Sequence, residues 1–216
     1  MAEGRLQFPR NEILIFGHSF VRRLGEQCNR FTPSWRNLGL NTADFNVWFH
    51  SVSGATVPRL YHESSVVIDM SPHTLILQIG GNDLNNPNVN PYHLAQQIID
   101  LSTHLLSLCH SLSQVYICKL HFRHQGNSHR LLRHNYNRDV SLVNNRLVEL
   151  QSRADCIIVW SHRGMCLNWQ SQRLQDGIHL NKKGMQQYYR SIRGAVLSAH
   201  KPSKVLLISS FKTNVS

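Results

Sequence analysis

The sequence predicts an α/β fold, a three-layer α/β/α sandwich with a five-stranded, mainly parallel sheet. Short apolar runs rich in β-branched residues recur along the chain, and turn residues such as Gly, Asn and Ser follow them. Between these runs, apolar residues recur at the spacing of amphipathic helices. Strands that alternate with helices in this way form parallel sheets whose two faces are covered by the helices.

Five of the apolar runs are predicted to be strands, because they are too short for core helices and end in turns. These runs cover residues 13–16, 46–52, 73–79, 114–120 and 155–160. Helical periodicity predicts helices after Ser19 and after Thr56, and over residues 92–112, 131–152 and 183–200. A last apolar run, over residues 204–211, is expected to add an edge strand or a surface flap.

Ser19 occupies the turn between the first strand and the first helix. At that position free backbone N–H groups and the helix dipole favour a developing negative charge, which suits a nucleophile. Serine is also a common helix N-cap, so the position alone does not separate the two roles.

Other polar groups follow later strands and are expected at the same edge of the sheet. Gly54 comes after the second strand, and Asn82 comes after the third. The carboxyl edge of an open α/β sheet is where ligands bind. Near the C-terminus, Asp176 precedes His179 by one turn, so its carboxylate can hold Nδ1–H of the imidazole and leave Nε2 free for a serine hydroxyl.

With these residues in this order, the chain resembles the SGNH, or GDSL-type, hydrolases. The Ser, Gly, Asn and His of that family fall on Ser19, Gly54, Asn82 and His179, and Asp176 occupies the acid position. The resemblance covers residues 11–200 and implies a flavodoxin-like sheet. The first family block usually reads Gly-Asp-Ser, whereas this chain has His18 in place of the Asp. A protonated His18 would repel the charged His179 imidazole, so early loss of activity at acidic pH is expected.

The resemblance implies a serine esterase that hydrolyses a carboxylic ester, with an acetyl or other short acyl group, through an acyl-enzyme. The catalytic residues would be Ser19, Asp176 and His179, and the oxyanion hole would comprise Ser19, Gly54 and Asn82. No metal and no organic cofactor is required. The substrate would be a small-molecule or carbohydrate ester. The alternative is a catalytically weak binding module that uses its basic surface, as in a domain of mobile-element origin.

The formal net charge of +11 reflects 12 acidic side chains against 23 Lys and Arg. Basic residues concentrate in residues 121–138, and no acid occurs between Asp100 and Asp139. Because this segment leaves the fourth strand at the carboxyl edge, it could select an anionic substrate or make weak contacts with nucleic acid. A solvated basic face is the simpler interpretation.

The predicted organisation is an N-terminal tail over 1–10, one hydrolase-like domain over 11–200 and a C-terminal extension over 201–216. The N-terminal residues lack the apolar run of a signal peptide, and no stretch approaches the roughly 18 apolar residues of a membrane span. The five cysteines are an odd number without a Cys-x-x-Cys pair. These features predict a soluble, cytoplasmic protein with free thiols, and they do not indicate an oligomeric state.

Overall fold

A computed structural model describes residues 10–124, 136–151, 155–165 and 170–200. The strands are β1 (Asn11–Gly17), β2 (Phe45–Ser51), β3 (Thr74–Gln78), β4 (Gln114–Cys118) and β5 (Ile157–Trp160). The helices are α1 (Ser19–Glu26), α2 (Val57–His62), α3 (Ser65–Met70), α4 (Pro91–Leu108), α5 (Tyr136–Gln151) and α6 (Lys182–Ala199).

The five strands form one sheet in the order β2-β1-β3-β4-β5, and every neighbouring pair is parallel. This arrangement confirms the predicted fold class, including the flavodoxin-like strand order. Strand β1 lies between β2 and β3, so the turn that follows it is flanked by the turns after both neighbours. The sheet thus brings the segments around residues 18, 54 and 82 to one edge.

Helices cover both faces of the sheet, which explains why β1 is apolar at successive positions. Ile13 and Ile15 point into a core formed with α1 and α6, whereas Leu14 and Phe16 point into a core formed with α2 to α5. All four side chains are at most 2% exposed. A strand buried on both faces gains hydrophobic stabilisation from every residue rather than from alternate ones.

One predicted helix end is wrong, since the helix expected over 92–112 ends at Leu108. Cys109 adopts an extended conformation, and the N–H of Leu112 donates to the carbonyl of Cys109 across a tight turn. Leu112 is buried because the chain turns back toward the core, not because the helix continues. The run at 204–211 and the predicted helical residues 131–135 and 152 lie outside the described residues.

Within the described part of the chain, no helix combines the length and the apolar character that crossing a bilayer requires. Cys28, Cys109, Cys118 and Cys156 are free thiols.

Candidate active site

The turn that carries Ser19 is formed where β1 and β3 approach too closely for a side chain. A Cβ atom on Gly17 would lie 2.2 Å from the carbonyl oxygen of Gln78, so only glycine fits there. The next residue, His18, is the N-cap of α1, and its Nδ1 accepts the N–H of Phe20 at 3.3 Å. The alternative role of Ser19 as the cap is therefore wrong. Ser19 is the first residue of α1, and its hydroxyl is not needed to cap the helix.

His179 faces Ser19 across the carboxyl edge of the sheet. Its Nε2 lies 3.4 Å from Ser19 Oγ, and its Nδ1 lies 2.7 Å from Asp176 Oδ2. The three predicted side chains are thus brought together in the order hydroxyl, imidazole, carboxylate. The longer of the two distances is typical of a catalytic contact that shortens when substrate binds.

Asp176 is held by its own turn as well as by His179. Its Oδ1 accepts the N–H groups of Ile178 and His179, each at 2.8 Å. Partial burial alone would raise the pKa of Asp176, but the hydrogen bonds from the His179 side chain and these two amides outweigh it and lower the pKa. The carboxylate is therefore ionised at neutral pH and can orient the imidazole.

Gly54 and Asn82 lie at the same edge of the sheet, and Asn82 is hydrogen-bonded to Ala55, the residue after Gly54. The side-chain amide of Asn82 donates to the carbonyl of Ala55 at 2.9 Å, which ties the turn after β3 to the turn after β2. An amide carries two N–H donors, so the second one can serve a ligand. Gly54 has a positive φ of 71°, and a Cβ there would meet nothing within 4 Å. Glycine is therefore favoured at position 54 by the backbone conformation and not by crowding around the residue.

The protonated form of His18, which was considered from the sequence, is disfavoured in this site. Burial, together with the positive charges of Arg123 and His179, lowers the pKa of His18 to about 3. The expectation that a protonated His18 repels His179 is therefore wrong above about pH 4, because the imidazole is neutral there.

Two buried arginines in this region were not identified as site residues from the sequence. Arg123 donates from Nη2 to the carbonyl of Gly81 at 2.7 Å and from Nη1 to the side-chain oxygen of Asn85, so it braces the loop that carries Asn82. Its guanidinium also lies 4.2 Å from the ring centroid of Tyr136, whose hydroxyl donates to the same Gly81 carbonyl at 3.2 Å.

Arg173 braces the other side of the site. It donates from Nη1 to the carbonyl of Ile178 at 3.0 Å and from Nη2 to the carbonyl of Phe122 at 2.6 Å. The sequence signal for Arg123 was the basic composition of residues 121–138, and that segment does not include Arg173. That signal suggested a solvated face, but Arg123 is 8% exposed. Residues 125–135 of the segment lie outside the described residues, and nothing in the described part supports nucleic-acid contact.

Two more histidines, His121 and His162, stack on each other near Phe20. The ring centroids of His121 and His162 lie 4.4 Å apart, and His121 also contacts Phe20, the residue after Ser19. Burial and neighbouring positive charges lower the pKa of both, that of His162 to about 3. Nε2 of each ring is buried and has no hydrogen-bond partner among the described residues.

A cavity of about 20 Å³ opens beside Ser19. It is lined by polar side chains of the turn and the Asn82 loop and by apolar residues that follow β4. That volume holds about one water molecule. Among the described residues, no group of three or more His, Cys, Asp or Glu side chains could hold a metal ion.

Comparison with known proteins places this geometry in a family. The sequence model of the GDSL-like Lipase/Acylhydrolase family matches residues 15–187. No curated protein sequence matches the chain significantly. Among solved structures, a GDSL-like lipase from Bacteroides thetaiotaomicron VPI-5482 is 15% identical with a TM-score of 0.68, over 87% of this chain and 88% of that one.

Two acetyl xylan esterases also share the fold. One is 17% identical with a TM-score of 0.67, over 85% of this chain and 99% of that one. The other, a catalytic mutant from Geobacillus stearothermophilus, is 15% identical with a TM-score of 0.62, over 88% and 96% of the two chains. The family match spans most of the 216 residues and includes Ser19, Gly54, Asn82, Asp176 and His179. The chain therefore belongs to the GDSL-like lipase/acylhydrolase family and is a serine hydrolase of the GDSL type.

Proposed function

We propose that the chain is an esterase that removes a short acyl group from a carboxylic ester, with Ser19 as nucleophile, His179 as general base and Asp176 as the acid that orients it. The observation that carries the proposal is the 3.4 Å approach of His179 Nε2 to Ser19 Oγ, with Asp176 2.7 Å behind the imidazole. This chain of contacts provides a route for the hydroxyl proton as the oxygen attacks.

In the first half-reaction, His179 takes the proton of Ser19 while Oγ attacks the ester carbonyl. Asp176 stabilises the imidazolium that results, and the imidazolium then donates its proton to the leaving alcohol. The acyl group remains on Ser19 as an ester. Water repeats the sequence in the second half-reaction, with His179 again taking and returning the proton, and releases the acid.

The negative charge that forms on the carbonyl oxygen needs hydrogen-bond donors. The backbone N–H groups of Ser19 and Gly54 and the second N–H of the Asn82 side chain are the proposed donors. Each preorganised donor of this kind stabilises a transition state by about 3 kcal/mol. The hydrogen bond from Asn82 to Ala55 supports this role, because it fixes the amide plane next to Gly54.

The size of the cavity beside Ser19 supports a short acyl group. A volume of about 20 Å³, which holds about one water molecule, also suits a methyl group or a slightly larger substituent. The fold shared with two acetyl xylan esterases also supports an acetyl group as the acyl group. It further supports a carbohydrate as the alcohol.

The direct test is a comparison of p-nitrophenyl acetate, butyrate and octanoate as substrates. We expect kcat/KM to fall as the acyl chain lengthens. Ser19→Ala should lower kcat/KM for the acetate ester by a factor of about a thousand or more. Ser65→Ala, at an exposed serine in α3, is the matched control and should retain full activity. A Ser19→Ala variant as active as the wild type would exclude the proposed nucleophile, and octanoate as the best substrate would exclude the short acyl group.

A further inference from the structure

The polar lining of the small cavity includes two hydrogen-bond donors, the imidazole of His18 and the guanidinium of Arg123. His18 is 7% exposed, and because its Nδ1 accepts the N–H of Phe20, its proton is on Nε2. Within the described part of the chain, no residue accepts a hydrogen bond from that Nε2–H. A buried donor without an acceptor costs free energy unless a ligand or water supplies one.

Arg123 adds a positive charge to the same space. None of the ion pairs among the described residues includes Arg123, and its guanidinium donates to the Gly81 carbonyl and the Asn85 side chain. These two acceptors use two of the five N–H groups of the guanidinium. The remaining donors, and the charge, are available to the cavity that Arg123 lines.

The position of Gly81 shows that these groups surround one point. A Cβ atom on Gly81 would lie 3.3 Å from the hydroxyl oxygen of Tyr136, 3.8 Å from His18 Nε2 and 4.0 Å from Arg123 Nη2. The hydroxyl of Tyr136 already donates to the Gly81 carbonyl. His18 Nε2 and Arg123 Nη2 therefore lie on the same side of Gly81, and a ligand atom in the cavity that both residues line can meet the N–H donor and the cation.

The cavity is on the acyl side of the proposed reaction. Asn82, the proposed oxyanion donor, and Ser19 both line it. A carbonyl carbon bound to Ser19 with its oxygen toward Asn82 has its acyl substituent next to this space. The leaving oxygen must instead point toward Nε2 of His179, from which it receives its proton.

We propose that the enzyme prefers short acyl groups with an oxygen on the carbon next to the carbonyl, such as a 2-hydroxyacyl group, and that His18 and Arg123 recognise this oxygen. The proposal rests on the esterase function proposed above. An ethyl substituent would leave the N–H of His18 and the guanidinium without an acceptor, whereas a hydroxymethyl substituent of nearly the same size would supply one.

A substrate pair of matched size tests the preference. The p-nitrophenyl esters of glycolic and propionic acid differ only by OH in place of CH₃, and the acetate ester serves as reference. Each kcat/KM is divided by the rate constant of alkaline hydrolysis of the same ester, which removes the difference in intrinsic reactivity. For the wild type, we expect a corrected glycolate-to-propionate ratio of about ten or more.

Variants of Arg123 test the assignment. Arg123→Met should bring the ratio close to one, and Arg123→Lys should restore part of it. Arg138→Met, which removes an exposed arginine of α5, should leave the ratio unchanged. A merely structural role of Arg123 in bracing the Asn82 loop would slow both esters equally and leave the ratio as it was, so the ratio separates recognition from positioning.

A second variant reaches the cavity without altering the arginine. Gly81→Ala places a methyl group at the point where the donors converge, and should lower turnover of glycolate more than that of acetate. A corrected wild-type ratio of one or less, measured on the unaltered protein, would overturn the proposal even if no variant folds. A ratio unaffected by Arg123→Met would also overturn it. If none of the three esters is hydrolysed in a Ser19-dependent way, the proposed function itself fails.

Discussion

Arg173 donates a hydrogen bond of 3.0 Å from Nη1 to the carbonyl of Ile178, the residue that immediately precedes His179. The guanidinium carbon also lies 5.5 Å from the ring centroid of Phe20, the residue that follows Ser19. One buried side chain thus contacts the neighbours of both the proposed nucleophile and the proposed base. Small misplacements of reacting groups cost large factors in rate, so Arg173 is a positioning residue for the proposed reaction.

Arg173→Met should lower kcat about 10- to 100-fold with little change in KM, because it frees the His179 turn without altering the substrate cavity. Arg173→Lys keeps a donor and should recover part of the loss. Steady-state kinetics with p-nitrophenyl acetate gives both constants, and thermal unfolding shows whether each variant is folded. Arg163→Met, at an exposed arginine, is the control. An effect confined to KM would assign Arg173 to substrate binding instead.

Ser19 should be the only serine that reacts with a fluorophosphonate, because it combines an imidazole nitrogen at 3.4 Å with the proposed oxyanion donors. Ser191 Oγ lies 2.9 Å from His162 Nδ1, but Ser191 is buried within α6. Intact mass and peptide mapping identify the adduct. His179→Ala should slow labelling strongly, since the variant lacks the base. An adduct on another serine, or labelling of His179→Ala at the wild-type rate, contradicts the assignment.

Asn82→Ala should reduce kcat by about a hundredfold or more and change KM little, as expected for a donor that acts mainly in the transition state. The substitution also removes the hydrogen bond to the Ala55 carbonyl, so the Gly54 turn should loosen with it. Asn88→Ala, at an exposed position farther along the same loop, is the matched control. Were the loss to appear in KM alone, Asn82 would bind the ground state.

Gly17→Ala should prevent folding or destabilise the protein by several kcal/mol, because its Cβ would lie 2.2 Å from a carbonyl oxygen of the central strand β3. Neither backbone can move without breaking the sheet. Gly54→Ala is the comparison, since its Cβ would meet nothing and only the positive φ costs about 1 kcal/mol. Urea unfolding of both variants measures the difference, and equal effects would refute the crowding argument.

His121→Phe should make the protein less sensitive to acid. Burial, together with the charges of His162, Arg173 and His18, holds the pKa of His121 well below its ordinary value of 6.5. The unfolded chain therefore binds a proton that the folded state does not, so stability falls as pH drops below about 6.5. Each such imidazole costs about 2 kcal/mol between pH 7 and pH 5.

The free energy of unfolding in urea at pH 7 and pH 5 tests this prediction. The difference between the two values should be smaller by about 2 kcal/mol in His121→Phe than in the wild type. His93→Gln, at an exposed histidine of α4, should behave like the wild type. An unchanged difference in His121→Phe would show that His121 is not protected from protonation in the folded state.

The sequence was informative wherever the physical cause was local or periodic. The run Ile13 to Phe16 predicted a strand buried on both faces, and its side chains do alternate between two cores. Asp176 and His179 could be paired because a spacing of three residues on one turn brings their side chains within reach. In the structure, Asp176 Oδ2 and His179 Nδ1 lie 2.7 Å apart. The end of α4 was less predictable. Leu112 is apolar because it lies in a turn that packs on the core, and in the sequence it continues the helical spacing of apolar residues.

The buried arginines could not be predicted, because their partners are backbone carbonyls. Arg123 and Arg173 bind the carbonyls of Gly81, Ile178 and Phe122, and no side-chain pattern in the sequence reports where a carbonyl points. The basic composition around Arg123 instead suggested solvent exposure. For the same reason the sequence showed that His18 departs from the family block, but not that the imidazole is the helix cap and stays neutral.

The contact between Ser19 and His179 joins residues 160 positions apart. Such a distant pair is expected to meet late in folding, because closing a long loop costs entropy before the contact itself contributes stability. The rate of ester hydrolysis therefore measures the fraction of chains that have folded completely. In a refolding experiment, signals from individual helices should return first, and turnover of an ester should return only with the last docking of α6 and its preceding turn against the sheet.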